Sequence, residues 1–154
     1  MVPLEQLAGE SGLDPSVRDA VEASLDAVES GAFKPSIGPV HNDLWRGNVL
    51  LPRFASGAKP GRWPFLLIDW GASTLVGFPL WDLLRILRSL RVPNPVAARI
   101  LRQHCEGLGV SLEQGRHGLL LALADLGVYR NEFPLELYLK SVSESLAYFD
   151  RLAD

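Results

Sequence analysis

Apolar side chains recur at helical spacing along most of the chain. In residues 14–30 they fall on one helical face, and Asp14 followed by Pro15 is typical of a helix start. The same period predicts four more helices towards the C-terminus: 79–90, 96–108, 111 to about 132, and 134 onward. Ser111 and Gln114 form a capping-box pattern at the start of one of them. Helices therefore dominate the predicted fold.

Two short apolar runs break this period and predict a β-hairpin. Residues 49–51 and 65–69 read as strands, and the Gly/Pro-rich segment 52–64 between them reads as a turn. Antiparallel pairing would place Asn48 and Asp69 at the same end of this hairpin. Because two strands cannot form a core of their own, we expect a predominantly helical α+β domain with the hairpin on its surface. The segments around the hairpin are predicted as loops: 34–40 and 70–78.

The composition is that of an ordinary folded domain. The chain has 154 residues, 47% of them hydrophobic and 21% charged, which predicts a single domain spanning residues 1–154. The net charge of −3 gives no electrostatic basis for nucleic-acid binding, and no apolar run reaches the length of a membrane span. The single cysteine, Cys105, fits a reducing compartment, so we expect a cytoplasmic protein. Arg85, Arg88 and Arg91 stand at helical spacing and are predicted to form a solvated helix face.

Polar chemistry is concentrated just before the first predicted strand, in HNDLWRGN (41–48). Gly47 permits the loop to turn back, so Asp43 and Asn48 would present a carboxylate and an amide oxygen to one place. Asp69, at the end of the second strand, would add another carboxylate. Such oxygen ligands suit Mg²⁺ bound together with substrate phosphates, and a nearby carboxylate can orient an attacking hydroxyl. The pattern therefore predicts phosphoryl-transfer chemistry.

The order of these residues resembles the catalytic centre of the aminoglycoside phosphotransferase/choline kinase-like family, which consists of small-molecule kinases with a protein-kinase-like fold. His-x-Asp-x-x-x-x-Asn is followed by a hairpin and by Asp-Trp-Gly, and the next helix carries an Asp in PLWDLL. The resemblance implies that Asp43 is the catalytic base and that Asn48 and Asp69 bind Mg²⁺. It also implies that His41 and Asp82 support the catalytic loop.

The resemblance extends over residues 38–90, and HNDLWRGN is also similar to fructosamine kinases. It implies the C-terminal, large lobe of a protein-kinase-like fold with a small catalytic β-hairpin. That lobe would contain helix 14–30, a catalytic loop and hairpin over 38–70, and a helical part over 79–154.

The activity implied by the resemblance is an ATP- and Mg²⁺-dependent transfer of the γ-phosphate to a hydroxyl of a small-molecule acceptor. An amino-bearing acceptor is one option, with contacts expected at three carboxylates: Asp125, Glu132 and Glu136. Residues 1–40 contain neither the Gly-rich loop nor the strand lysine of a nucleotide-binding lobe, since Lys34 stands beside a proline. We therefore expect the catalytic lobe of a longer enzyme, or a lobe completed by a separate polypeptide or a second copy. The nucleotide-binding residues stay unassigned.

Two alternatives remain open. Without the Gly-rich loop, a kinase-like lobe can be a non-catalytic binding module, that is, a pseudokinase fragment. His41 and Asp43, with His104 or His117, also match in type the facial triad of non-haem iron oxygenases, although that chemistry normally sits in a β-rich fold. Asp43 and Asn48 taken singly are ordinary turn residues. The joint spacing of the whole motif favours the kinase-like interpretation.

Overall fold

A computed structural model of the chain describes residues 2–51, 65–128 and 133–154. Within these ranges the backbone forms six α-helices: α1 (Val2–Gly9), α2 (Pro15–Glu29), α3 (Leu80–Ser89), α4 (Asn94–Leu108), α5 (Leu112–Val128) and α6 (Leu135–Ala153). The described strands are short: β1 (Gly38–Val40), β2 (Val49–Leu50), β3 (Leu66–Leu67) and β4 (Thr74–Gly77). They pair into two small antiparallel sheets, β1 with β4 and β2 with β3. The predicted predominantly helical α+β class is confirmed.

Local signals in the sequence set the helix boundaries. Asp14 caps α2 by accepting a hydrogen bond from the Ser16 N–H over 2.9 Å, and Pro15 is the first helical residue. Before α5, Ser111 and Gln114 exchange two hydrogen bonds of 3.1 Å each, which confirms the predicted capping box. A proline directly precedes each of the other three predicted helices: Pro79, Pro93 and Pro134.

Helix α1 is not predicted by the hydrophobic pattern. Its eight residues make it too short to be stable alone in water. Leu4 and Leu7 are nevertheless almost fully buried, and α1 packs against α2 and α5. Tertiary contacts therefore stabilise a helix that its own sequence would not.

The core is built by the helices, with α5 at its centre. Residues 118–124 are all buried, and α5 packs against every other described helix. Leu84 of α3, Leu101 of α4 and Phe149 of α6 are fully buried around it. None of the described helices combines the length and the hydropathy that a membrane crossing requires. The expected helical core is therefore confirmed.

The predicted hairpin is present and lies on the surface of this core. Val49 pairs with Leu67 and Leu50 pairs with Leu66, while the Ile68 N–H donates to the Asn48 carbonyl over 3.0 Å. The residue after Ile68 is Asp69, so Asn48 and Asp69 stand at the same end of the hairpin, as predicted. Two predicted segments lie outside the described residues: the turn 52–64 and the helix end 129–132.

The second sheet contradicts the prediction that 34–40 and 70–78 are loops. Gly38 pairs with Gly77 and Val40 pairs with Thr74, with a register irregularity between the two pairs. A Cβ added at Gly77 would collide with the Val40 side chain, so this pairing depends on a glycine there. Strands of three and four residues that meet from distant parts of the chain leave little periodic signal in the sequence.

Candidate functional site

The candidate site forms where two loops run side by side between the sheets. One loop joins β1 to β2 and contains His41, and the other joins β3 to β4. Nε2 of His41 donates to the Ile68 carbonyl over 2.9 Å, and the Asn42 amide donates to the Ala72 carbonyl over 3.0 Å. The His41 ring also packs against Trp70, with ring centroids 4.8 Å apart. These contacts hold the two loops in a fixed relation.

Asp82 joins helix α3 to the same loop. Its carboxylate accepts a hydrogen bond from the His41 backbone N–H over 2.6 Å, and it is buried in the first turn of α3. Burial raises the pKa of Asp82, and the hydrogen bond from the His41 N–H partly offsets that effect. Beside it, the Trp81 indole donates to the Asn42 carbonyl over 3.2 Å. His41 and Asp82, which the resemblance separately implies as supports of the catalytic loop, are therefore in direct contact.

Asp43 and Asn48 are brought together as the motif predicts. The Asn48 amide nitrogen donates to the Asp43 backbone carbonyl and to the Asp43 carboxylate, each over 2.9 Å. Both amide protons are therefore engaged. Within the described part of the chain, the amide oxygen of Asn48 accepts no hydrogen bond, although the residue is only 6% exposed. That oxygen is left available to a ligand at the hairpin end.

Asp69, at the same end of the hairpin as Asn48, has an unusual backbone conformation. Its φ and ψ are 61° and 63°, and Asn42 in the facing loop has φ 62°. Aspartate and asparagine tolerate this left-handed region better than most residues, and such residues cluster at functional sites. The Asp69 side chain is exposed and makes no hydrogen bond or ion pair with the described residues. Its carboxylate is free to bind a cation.

Arg85 is the site residue that the sequence analysis missed. Its guanidinium forms an ion pair with the Asp43 carboxylate oxygen that Asn48 does not contact. It also lies 5.7 Å from the centre of the Trp81 ring. The prediction of a solvated helix face is therefore wrong for Arg85. The available signal was its position three residues after Asp82, which puts both side chains on the same face of α3.

The oxygen atoms near the hairpin end suit Mg²⁺. Mg²⁺ binds through one or two carboxylates together with substrate phosphates and waters, which matches the free oxygens of Asn48 and Asp69. The residues described here contain no group of three or more His, Cys, Asp or Glu side chains that could hold a metal ion. The structure therefore does not bring His41 and Asp43 together with His104 or His117 as an iron-binding triad.

Two of the three carboxylates expected to contact a cationic acceptor, Asp125 and Glu136, line different depressions. Asp125 lines a depression of about 590 Å³ with Asn42 and Gly71, and burial raises the pKa of Asp125. Glu136 lines a different depression, beside Asp14. Glu132 lies outside the described residues.

Comparisons of the chain with models of known protein families, with curated proteins and with solved structures produced no match. The geometry of the site and the motif that it carries are therefore the basis of the functional assignment.

Proposed function

We propose that this chain is the catalytic lobe of an ATP- and Mg²⁺-dependent phosphotransferase, related to the aminoglycoside phosphotransferase/choline kinase-like enzymes and sharing their protein-kinase-like fold. The observation that carries the proposal is the double hydrogen bond from Asn48 to Asp43. It joins a candidate base to a candidate metal ligand and leaves the Asn48 amide oxygen without a hydrogen bond among the described residues, at the end of the hairpin where Asp69 also stands. A turn without such a function has no need of all three residues in this arrangement.

Asp43 is proposed as the residue that orients the acceptor hydroxyl and takes its proton. Its carboxylate oxygens each accept one hydrogen bond, from Asn48 and from Arg85, so lone pairs remain on both. The side chain is 33% exposed, so a substrate can reach it. The acceptor oxygen forms a bond to the γ-phosphorus as the bond to the β,γ-bridging oxygen breaks. ADP leaves with that electron pair, and the hydroxyl proton moves to Asp43.

Asn48 and Asp69 are proposed as the residues that hold Mg²⁺. When bound, this ion neutralises the negative charge of the nucleotide phosphates. The chain supplies an oxygen of each type that Mg²⁺ accepts, one amide and one carboxylate. The left-handed backbone of Asp69 directs the chain away from β3 directly after the strand, at the end where Asn48 stands.

His41 and Asp82 are proposed as positioning residues. Neither is free to contact substrate, because His41 is 3% exposed and Asp82 is 9% exposed. Their mutual hydrogen bond and the contact from His41 to the Ile68 carbonyl tie α3, the Asp43 loop and the Asp69 loop together. Preorganisation of this kind lowers the cost of reaching a reactive geometry.

The nucleotide-binding lobe is proposed as a separate structural unit that covers the hairpin. Exposed apolar side chains on β2, β3 and their flanks support this docking, among them Leu51 at 68%, Phe65 at 60% and Leu66 at 58% exposure. Exposed apolar side chains that lie near one another commonly mark an interaction surface. A longer form of the chain, a separate polypeptide or a second copy would each supply such a lobe.

The proposal is tested by phosphate transfer from γ-labelled ATP to a panel of small hydroxyl compounds in the presence of Mg²⁺. Removal of the base in Asp43→Asn should abolish transfer, with a loss of at least about a hundredfold, while Mg²⁺-ATP binding is retained. Full activity in this variant would show that the mechanism is wrong.

A second candidate function, a non-catalytic kinase-like binding module, is favoured by the Asp43–Arg85 ion pair. The guanidinium stands at one of the two carboxylate oxygens that an acceptor hydroxyl would have to approach. This candidate predicts nucleotide or partner binding with no transfer to any acceptor, and Arg85→Gln would then leave transfer absent.

A further inference from the structure

A groove rich in arginine lies between the end of α3 and the C-terminal half of α6. Its volume is about 620 Å³, and its polar lining is dominated by three arginines and the residues beside them: Arg88, Arg91, Asn94, Glu144, Tyr148 and Arg151. The proposed catalytic residues do not line it. The proposed function so far gives this groove no role.

The charges in the groove are mostly positive. Arg88 pairs with Glu144 over 3.0 Å, but Arg91 and Arg151 have no ion-pair partner among the described residues. Arg88 and Arg151 both lie against the Tyr148 ring, at 5.8 Å and 6.0 Å from its centre. In a chain with a net charge of −3, this concentration of guanidinium groups gives a local positive potential that attracts anions.

Arg91 occupies a backbone position that favours glycine. Its φ is 54°, and the hydrogen bonds from the Arg91 N–H to Arg88 and from the Val92 N–H to Leu87 close the end of α3. Glycine is the usual residue at this left-handed position after a helix, because it has no Cβ. The chain places an arginine there despite the strain, and the arginine side chain lines the groove. This points to a role for the side chain itself.

The groove adjoins the surroundings of Arg85. A second depression of about 350 Å³ is lined by Trp45, Trp81, Arg85 and Arg88, so Arg88 borders both spaces. Arg85 in turn contacts Asp43. Arg85 and Arg88 are three residues apart on α3, which separates them by about 4.5 Å along the helix axis. A ligand at Arg88 therefore lies within about one helical turn of the arginine that contacts the proposed base.

We infer that this groove binds the anionic end of the acceptor, so that the substrate is a hydroxyl compound carrying a phosphate or a carboxylate. Arg91 and Arg151 hold the anion, with Arg88 beside them. The exposed Trp45 ring contacts the body of the molecule, and the hydroxyl of the molecule points to Asp43. Guanidinium groups suit both anions because they donate paired hydrogen bonds. The inference rests on the proposed function and replaces the amino-bearing acceptor expected from the sequence.

Four probes of similar size test the inference in a phosphate-free buffer without ATP or Mg²⁺: glucose 6-phosphate, gluconate, glucose and glucosamine. Titration calorimetry on the full chain should show binding of one or both anionic probes. The neutral and cationic probes should bind at least about tenfold more weakly, since each lost charged contact is worth about that factor or more. The stronger of the two anionic probes identifies whether a phosphate or a carboxylate is preferred. Equal binding of glucose and both anions would overturn the inference.

Arg91→Gly separates a ligand role from a structural one. Removal of the strained side chain should raise the melting temperature, yet weaken binding of the preferred anion about tenfold. Arg102→Gln on α4 is the matched control, because Arg102 is exposed and outside the groove, and its loss should leave binding unchanged. Unchanged binding in Arg91→Gly would overturn the inference, and Arg151→Gln provides an independent second variant with the same expected loss.

The proposal that the groove binds an anion and the proposal that the chain is a phosphotransferase can be refuted independently. Anion binding that is lost in Arg91→Gly, together with phosphate transfer that is unchanged in Asp43→Asn, would refute the proposed phosphotransferase mechanism and leave the anion-binding groove. Transfer from ATP to neutral acceptors, without binding of either anion, would support the phosphotransferase and refute the groove.

Discussion

Asn48 donates both of its amide protons to Asp43, one to the backbone carbonyl and one to the side-chain carboxylate, each over 2.9 Å. A single asparagine thereby fixes the main chain and the side chain of the residue five positions earlier. The same two bonds leave its amide oxygen without a hydrogen bond among the described residues. The positions of the proposed base and the proposed metal ligand are therefore coupled, and a substitution at either residue should affect both.

Asn48→Ala should destabilise the chain by about 1–3 kcal/mol, because it removes both hydrogen bonds to Asp43 from a buried position. The measurement is urea unfolding followed by circular dichroism. Gln103→Ala is the matched control, since Gln103 is an exposed amide on α4, and it should change stability by no more than about 0.5 kcal/mol. Equal effects of the two substitutions would show that the Asn48 contacts contribute little.

Asp82→Asn should become increasingly stable relative to the unchanged chain as the pH rises. Because burial raises the pKa of Asp82 in the folded state above its ordinary value of 3.8, the folded state holds this proton more tightly than the unfolded chain. Ionisation therefore costs stability as the pH rises through the folded pKa. Asparagine keeps an oxygen for the His41 N–H and carries no charge. Urea unfolding of both proteins from about pH 4 to about pH 7 measures the difference.

Asp14→Asn is the control for this experiment, because its stability relative to the unchanged chain should vary with pH in the opposite direction. The hydrogen bonds from Ser16 lower the pKa of Asp14, so its ionised form favours folding, and that contribution is present above 3.8 and lost as the pH falls. This variant should lose stability relative to the unchanged chain as the pH rises. A stability difference for Asp82→Asn that does not vary with pH, or that follows the trend of Asp14→Asn, would contradict the assignment.

Gly77→Ala should destabilise the chain by about 1–3 kcal/mol, because the new Cβ would collide with Val40 across the β1–β4 pair. Gly107→Ala is the matched control within α4, where a Cβ meets no atom within 4 Å. It should instead stabilise the chain by about 0.5–1 kcal/mol through helix propensity. Thermal unfolding of the two variants measures both effects, and destabilisation by Gly107→Ala with none by Gly77→Ala would refute the packing argument.

Arg85→Gln should alter phosphate transfer more than it alters stability. The Asp43–Arg85 pair is about one-third exposed on each side, and exposed ion pairs contribute at most about 1 kcal/mol. The arginine nevertheless fixes one oxygen of the proposed base. We expect a changed rate of transfer and a nearly unchanged unfolding midpoint. A large loss of stability with an unchanged rate of transfer would make Arg85 a purely structural residue.

The parts of this structure that the sequence predicts are those with a local physical cause. Helix α2 begins where Asp14 and Pro15 predict, and the hairpin places Asn48 next to Asp69 because the pairing of two adjacent apolar strands determines their register. The contact between Asp43 and Asn48 follows from a short loop that turns back on itself.

The features of the structure that the sequence does not predict depend on contacts between distant segments of the chain. Helix α1 is stabilised by the burial of Leu4 and Leu7, and the β1–β4 pair depends on the small size of Gly77. Arg85 looks the same in the sequence as a solvated arginine, because the pattern of α3 does not reveal that Asp43 lies opposite it. Each of these features depends on tertiary contacts, and short motifs in a single sequence do not reveal such contacts.

The most direct test of the account is calorimetric titration of the chain with ATP, with and without Mg²⁺. We expect Mg²⁺-dependent binding that is lost in Asp69→Ala, retained in Asp43→Asn, and unaffected by Asp19→Ala at an exposed carboxylate of α2. This result would show that Asp69 binds the metal–nucleotide complex and that Asp43 acts in a later step. Binding that is the same in Asp69→Ala as in the unchanged chain, or that does not depend on Mg²⁺, would contradict the account.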